Sequence, residues 1–464
     1  MAQDSVRYIE NEVTSAQEAL PDADVAEIRA RCREEVERRI PQLVEAAPPV
    51  LPKRRRLGQE LYAGPLGQAF GFLHLYERTE ATEQLQWAGR YLDVALEALD
   101  HSGVPRPEEW LSFHASGGAA AVAAVVRDRL GDADGRDRHL DRYRRLARRA
   151  ADPEFPSEDL LWGRGGFCLG AAFLRARLGV DSLPDTLVTG PLEAMLATGR
   201  RLARAHASEL TPGPHGLPPL LYMNLNAFVF GCFAQSLIGS RSLPARALAG
   251  LAARLMIRLG EHRERLSHRY DIGLVHGLAG NLYLMLEFPE LLERLGASEE
   301  VRGSLDCLTD CVEAERGMLE LFPSRHSDPG VFTDKVHWCN GTTGAVFLFT
   351  RAYEVFGDAS YLEAARWAAE HVWRYGLLRK GNGLCHGVAG NAYAFLTLYR
   401  ATSEERQLHR ALHFARFTLS DRPRRHPQVP NRPGSLYEGQ MGTLCFQLDC
   451  LDPERARFPA FEVC

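Results

Sequence analysis

Cys385 and His386 stand side by side in the segment GLCHGVAGN, and a second cysteine, Cys339, stands in HWCNGTTG. Two thiolates and one imidazole are three soft zinc ligands. Three protein ligands with an open fourth position are the count of a catalytic zinc site, not a structural one. Two cysteinates cancel the charge of a zinc dication, so the metal stays electron-rich. A thiolate held at the open position then keeps much of its nucleophilicity, while the metal still lowers a thiol pKa enough to populate thiolate near neutral pH. A three-histidine site would instead favour activated hydroxide. The pattern therefore points to thiol chemistry on one zinc ion per chain.

These residues can act together only if the chain repeats itself so as to bring them together, and it does. A glycine-centred unit appears as YAGPLGQAF at Gly64, WGRGGFCLG at Gly163, VHGLAGNLY at Gly277 and CNGTTGAVF at Gly341. It returns as CHGVAGNAY at Gly387 and YEGQMGTLC at Gly439, with a weaker copy, HASGGAAAV, at Ala115 and Gly118. A period of about 50 residues marks stacked supersecondary units, none of which buries its apolar face alone. Each unit leads into an apolar run of helical length, and amphipathic stretches lie between. In YLEAARWAAEHVW the residues Tyr361, Ala365, Ala368 and Val372 fall on one helical face. Strand-like alternation is scarce. The expected fold is all-α: seven helical hairpins in an α/α toroid, a double ring of helices. The glycine turns gather at one end and place Cys339, Cys385 and His386 around one cavity. Gly-x-x-Gly lets the backbone turn tightly into the inner helix and approach its neighbours.

One domain is expected over residues 1–464. Within it, residues 1–57 form a helical extension and linker that wraps the ring, and residues from about 211 to 270 form an irregular, proline-rich insertion. His276 occupies the repeat position that zinc ligands occupy in later units. Three roles are open to it: a fourth ligand, a satisfied polar residue, or the favoured one, a general acid or base beside the metal. Asp159, in EDLLWGRGG, either orients His276, holds substrate, or caps a helix N-terminus. His337, next to Trp338, reads as a packed residue of the rim.

The net charge of -5 gives no basic field to hold nucleic acid. The run Lys53-Arg54-Arg55-Arg56 reads first as a solvated face beside prolines, and otherwise as a nuclear address or a lipid-headgroup contact. No stretch reaches the roughly 18 apolar residues of a membrane span. The N-terminus MAQDSVRYIENE is polar, unlike a cleavable signal, and Ala2 stands where myristoylation needs glycine. Ten scattered cysteines read as reduced thiols in the cytoplasm. Cys307 and Cys311, one helical turn apart, read as buried helix thiols ahead of a metal clip.

The segments HWCNG, LLRKGNGLCHGVAGNAYAFLTLYR, SLYEGQMGT and ARFPAFEVC resemble the lanthionine synthetase C-like family, the eukaryotic relatives of the bacterial lantibiotic cyclases. The resemblance implies an α/α toroid, zinc ligation by Cys339, Cys385 and His386, an acid/base role for His276 and a substrate-site role for Asp159. It also implies glutathione as co-substrate, with Lys380 among its contacts. The implied reaction adds the glutathione thiol to dehydroalanine or dehydrobutyrine in proteins or peptides. Two positions depart from the family pattern. Asn340-Gly341-Thr342-Thr343-Gly344 stands where the family usually reads His-Gly-Ala-Pro-Gly, and Gln428 replaces an arginine near the glutathione carboxylate. A neutral amide cannot make the bidentate charged pair of an arginine. These departures favour a competing class, a non-catalytic zinc- and glutathione-binding scaffold in signalling. A toroidal glycoside hydrolase would want paired carboxylates across a cleft, and Glu438 is the single acidic residue in a comparable place.

Overall fold

The computed structural model describes residues 8–51, 61–100, 111, 113–114, 116–155, 157–161, 163–206, 273–275, 277–314, 336–420 and 432–463. Their helices in chain order are α1 (Asp22–Ala46), α2 (Pro65–Thr79), α3 (Thr82–Asp100), α4 (Ser116–Arg129), α5 (Ala133–Ala150), α6 (Arg164–Leu178), α7 (Asp185–His206) and α8 (Leu278–Leu286). The series continues with α9 (Pro289–Arg294), α10 (Ser298–Ala314), α11 (Thr342–Phe356), α12 (Ala359–Tyr375), α13 (Val388–Thr402), α14 (Glu405–Thr418) and α15 (Gln440–Asp449). Among the described residues the only β-pairing is isolated bridges. The Lys53–Arg56 run, the 211–270 segment, His276 and Gln428 lie outside them.

Seven helices follow the glycine turns: α2, α4, α6, α8, α11, α13 and α15. Each packs against the next, and α15 packs back on α2, which closes an inner ring. In α13 every residue from Val388 to Leu398 is buried, as an apolar run without a polar face requires. The amphipathic helices α3, α5, α7, α10, α12 and α14 lie outside. In α12 the expected stripe of Tyr361, Ala365, Ala368 and Val372 faces inward, and Glu363 and Arg366 face water. The chain is an α/α toroid, as its repeats require.

The 14 described residues that follow α15 form turns and extended backbone instead of an outer helix. The helix before the first repeat takes that place. α1 packs on α15 and α14 through Ile28, Cys32, Val36 and Leu43, and Arg29 Nε donates to the Cys450 carbonyl at 3.1 Å.

At six of the seven turns the second glycine is a steric necessity. A Cβ at Gly390 would lie 1.7 Å from the Leu384 carbonyl oxygen, and one at Gly280 would lie 1.8 Å from that of Leu274. The turn folds its own backbone back against the first turn of the helix, where only hydrogen fits.

The segment after α15 fills the centre of the ring. Phe458 stacks on Trp338 at 4.9 Å and meets Phe347 of α11 and Tyr393 of α13 edge-on or tilted at 5.4 and 5.3 Å. Phe461 stacks on Tyr283 of α8 at 4.3 Å. Glu462 anchors this plug by accepting from Arg400 Nη2 at 2.6 Å, Thr397 Oγ1 at 3.0 Å and the Phe458 N–H at 2.8 Å. Beside it lies the buried Asp449 carboxylate. It accepts from Arg78 Nε at 2.8 Å, the Tyr393 hydroxyl at 2.9 Å and the Arg457 N–H at 3.2 Å, and it meets His74 Nε2 at 3.1 Å. A carboxylate out of water requires such partners.

Candidate metal centre

A circuit of backbone hydrogen bonds runs along the rim where the glycine turns gather. The Val275 N–H donates to the Cys339 carbonyl at 3.1 Å, and the Cys339 N–H to that of Cys385 at 3.4 Å. The Cys385 N–H donates to the Tyr437 carbonyl at 2.9 Å, and the Tyr437 N–H to that of Tyr62 at 3.2 Å. All five residues stand two places before the first glycine of their turns. The repeat thus sets equivalent residues of successive hairpins edge to edge, and two of these are the metal-site cysteines.

The ligand atoms of Cys339, Cys385 and His386 lie within 4.8 Å of one another. A tetrahedral zinc ion with sulfur at about 2.3 Å spaces its ligands by roughly 3.5–4 Å. The donor set therefore fits such an ion after small side-chain adjustments. Cys385 is buried, while Cys339 and His386 are partly exposed, so the cluster is reachable from the rim. The inner helices α11 and α13 start just beyond, capped by Gly341 and Gly387, and their N-terminal ends favour negative charge.

The thiols are electrostatically unequal. Hydrogen bonds from the Cys385 thiol, and then from His337 and His386, hold Cys339 well below its ordinary range. Burial, and then the bond it gives to Cys339, pushes Cys385 well above. A bound dication would hold both sulfurs as thiolates, in competition with protons.

Two further side chains enter the site. His337, read from the sequence as rim packing, lies beside Cys339 and 5.7 Å from the His386 ring. Burial lowers its pKa, and the charges of His386 and Lys380 add to this. Tyr62 lies beside the cysteine pair, joined to Cys385 through the backbone of Tyr437. Burial, and then the charges of Cys385 and Cys339, raise its pKa well above the ordinary value. The signal in the sequence was positional: Tyr62 stands at the same place in its turn as the two cysteines.

Lys380 is exposed on the turn between α12 and α13, close enough to act on His337. Glu438 likewise acts on Cys385. Asn340 follows Cys339, and its Oδ1 is buried with no hydrogen-bond partner among the described residues. Asp159 is buried but is not part of the three-residue cluster. The N-cap position of α6 is held by Gly163, four residues after Asp159. The neighbouring Leu160 N–H donates to the Val275 carbonyl at 3.3 Å, which sets the Asp159 turn against the residue preceding His276. A buried Glu158–Arg164 ion pair braces that turn.

The lanthionine synthetase C-like protein family model matches residues 56–211 and 250–463, and the chain belongs to that family. It is 29% identical over 408 residues to glutathione S-transferase LANCL1 of Danio rerio, covering 87% of this chain and 84% of the relative. It is 30% identical over 422 residues to LanC-like protein GCL1 of Arabidopsis thaliana, covering 88% and 82%. Among solved structures, nisin cyclase shares the fold with a TM-score of 0.54 at 12% identity, over 95% of this chain and 97% of that one.

Proposed function

We propose that this protein is a zinc-dependent thioether-forming enzyme that adds glutathione, or another thiol, to dehydroalanine or dehydrobutyrine residues in proteins or peptides. The observation that carries this reading is the convergence of Cys339, Cys385 and His386 within 4.8 Å at a partly open rim. Zinc held by these residues supplies a bound, deprotonated thiol near neutral pH. The name of the zebrafish relative, a glutathione S-transferase, supports glutathione as the thiol.

The thiol sulfur bonds the β-carbon of the dehydroamino acid, the double bond is consumed, and a proton is delivered to the α-carbon. His276 is the assigned donor, and Asp159 orients it or the substrate. Lys380, exposed beside the Cys-His turn, supplies a cation for a glutathione carboxylate. Helix N-termini at the same rim favour an anionic co-substrate. We assign the protein to a reducing compartment, the cytoplasm. Cys32, Cys168, Cys339, Cys385, Cys445 and Cys450 are free thiols, and no helix among the described residues is long and apolar enough to cross a membrane.

Gln428, in place of the family's arginine, favours the second reading, a zinc- and glutathione-binding scaffold without turnover. Incubation of the zinc-loaded protein with glutathione and a dehydroalanine peptide, followed by mass spectrometry, separates the two. A zinc-dependent adduct lost in His276→Ala supports the enzyme. No adduct above background, with zinc bound, supports the scaffold.

A further inference from the structure

We infer that Thr343 and Asn391 are positioning residues of the metal centre: a buried hydrogen bond between them fixes the spacing of the two turns that carry Cys339 and the Cys385–His386 pair. The inference rests on the metal reading above and extends it to side chains that are not ligands.

Thr343 is the second residue of α11, four places after Cys339, and Asn391 is the fourth of α13, five places after His386. Both are fully buried. Thr343 Oγ1 donates to Asn391 Oδ1 at 2.8 Å, and Asn391 Nδ2 donates to the Gly376 carbonyl at 2.8 Å. The partners fix the amide's orientation. With the amide turned over, Oδ1 would face the Gly376 carbonyl, acceptor against acceptor. Gly376 is the C-cap of α12, where carbonyls have no intrahelical partner. Asn391 thus ties α13 to both helices of the preceding hairpin. In the same turn, Thr342 Oγ1 meets His371 Nδ1 of α12 at 3.1 Å.

The rim alone holds this joint loosely. The Cys339 N–H reaches the Cys385 carbonyl at 3.4 Å, the longest bond of the rim circuit and beyond the about 2.7–3.2 Å of an ordinary N–H···O bond. The side-chain clasp behind it is shorter and out of water, where breaking it would orphan a buried oxygen. A Cβ at Gly165 would lie 3.2 Å from Asn281 Oδ1, so the repeat sets the same two places side by side at that joint too. Yet no other turn has a hydroxyl in the place before its second glycine. The clasp occurs at the joint between the two metal-site turns. The Ala-Pro of the family pattern has no hydroxyl either, so the clasp belongs to this chain. An ion binds best to donors already held at its spacing, because ordering a loose turn on binding lowers affinity.

The test compares the full-length wild type with Thr343→Val, which keeps the branched shape and removes the hydroxyl, and with Thr343→Ser, which restores it. Zinc affinity is measured by chelator competition, and the cobalt-substituted form is read by its d–d bands, which report ligand geometry. Thr343→Val is expected to bind about 10-fold more weakly, the lower end for outer-shell losses, with shifted bands. Thr343→Ser is expected close to wild type in both. Thr343→Ala is read in the same way where Thr343→Val does not fold. Tyr361→Phe, which loses the bond from its hydroxyl to Asp306 between outer helices, is expected to melt earlier with its cobalt bands unmoved. Wild-type affinity and bands without the hydroxyl overturn the inference and leave the metal centre standing. A Thr343→Ser that behaves as Thr343→Val also overturns it, as does an equal band shift in Tyr361→Phe, which would show general loosening. A wild type that binds neither ion overturns the metal reading and this inference with it.

Discussion

The Tyr437 N–H donates to the Tyr62 carbonyl at 3.2 Å, joining the last hairpin of the ring to the first. On the other side, Tyr437 accepts from Cys385 at 2.9 Å. The seam of the toroid therefore lies one residue from a metal-site cysteine. A perturbation at either place reaches the other through backbone bonds.

Replacement of Cys385 or Cys339 by serine removes a soft donor without changing shape. We expect zinc content measured by elemental analysis to fall from about one per chain to well below, with helical circular dichroism retained. Full zinc content in both variants would remove these residues from the centre.

Zinc retention is expected to fall with pH, because protons compete with the metal for thiolate. Two cysteines give up their protons to the ion, so release into a chromogenic chelator should steepen toward about two protons per ion. A pH-independent zinc content between neutral and mildly acid solution would contradict thiolate ligation.

Asp449 carries a separate dependence. Burial works against its ionised form, but the His74 and Arg78 charges and hydrogen bonds outweigh burial and hold its carboxyl below the usual range. The unfolded group titrates near 3.9. The stabilisation is therefore fully present above about pH 4 and is lost as pH falls through the lower folded value. Asp449→Asn should cost about 3–5 kcal/mol at neutral pH by leaving Arg78 with an uncompensated buried charge. Denaturant titration at pH 7 and pH 3 should show the gap between variant and wild type narrowing in acid.

Two glycine substitutions should have opposite signs. Gly390→Ala drives a methyl group to within 1.7 Å of the Leu384 carbonyl oxygen. The turn must move, at a cost of about 3 kcal/mol, and Cys385, next to Leu384, moves with it, so zinc binding weakens too. At Gly303, within α10, the place a methyl group would take has nothing within 4 Å. Gly303→Ala should stabilise by about 0.5–1 kcal/mol. Melting temperatures of the pair check both.

Phe458→Ala should empty space under Trp338 and cost about 3–5 kcal/mol. Because Trp338 adjoins Cys339, metal affinity should drop as well. Unchanged stability would mean that the plug is dispensable to the ring.

The ring was legible because its cause is local. Each Gly-x-x-Gly precedes an apolar run, and the clash at Gly390 makes that spacing a physical requirement. The cluster of Cys339, Cys385 and His386 was legible for the same reason, since the repeat places equivalent residues side by side. His337 and Tyr62 escaped notice as neighbours of the cluster. A histidine beside a tryptophan and a tyrosine at the head of a helix are ordinary packing residues until the turns are closed in space. The plug was harder still. In ARFPAFEVC nothing periodic announces that Phe458 and Phe461 meet partners drawn from several hairpins. The outer place beside α15 could not be assigned to α1, because more than 400 residues separate Cys32 from Cys450.

Residues 458–463 are synthesised after every described helix of the ring. Without them, the seven inner helices would surround a gap lined by Tyr283, Trp338, Phe347 and Tyr393. Domains ordinarily fold as units during synthesis, starting from the N-terminal side. Here α1 precedes its partner α15 by nearly the whole described chain, so the contact between them forms only after the other described helices have been made. The ring of described helices can therefore be filled only once Phe458 and Phe461 are available.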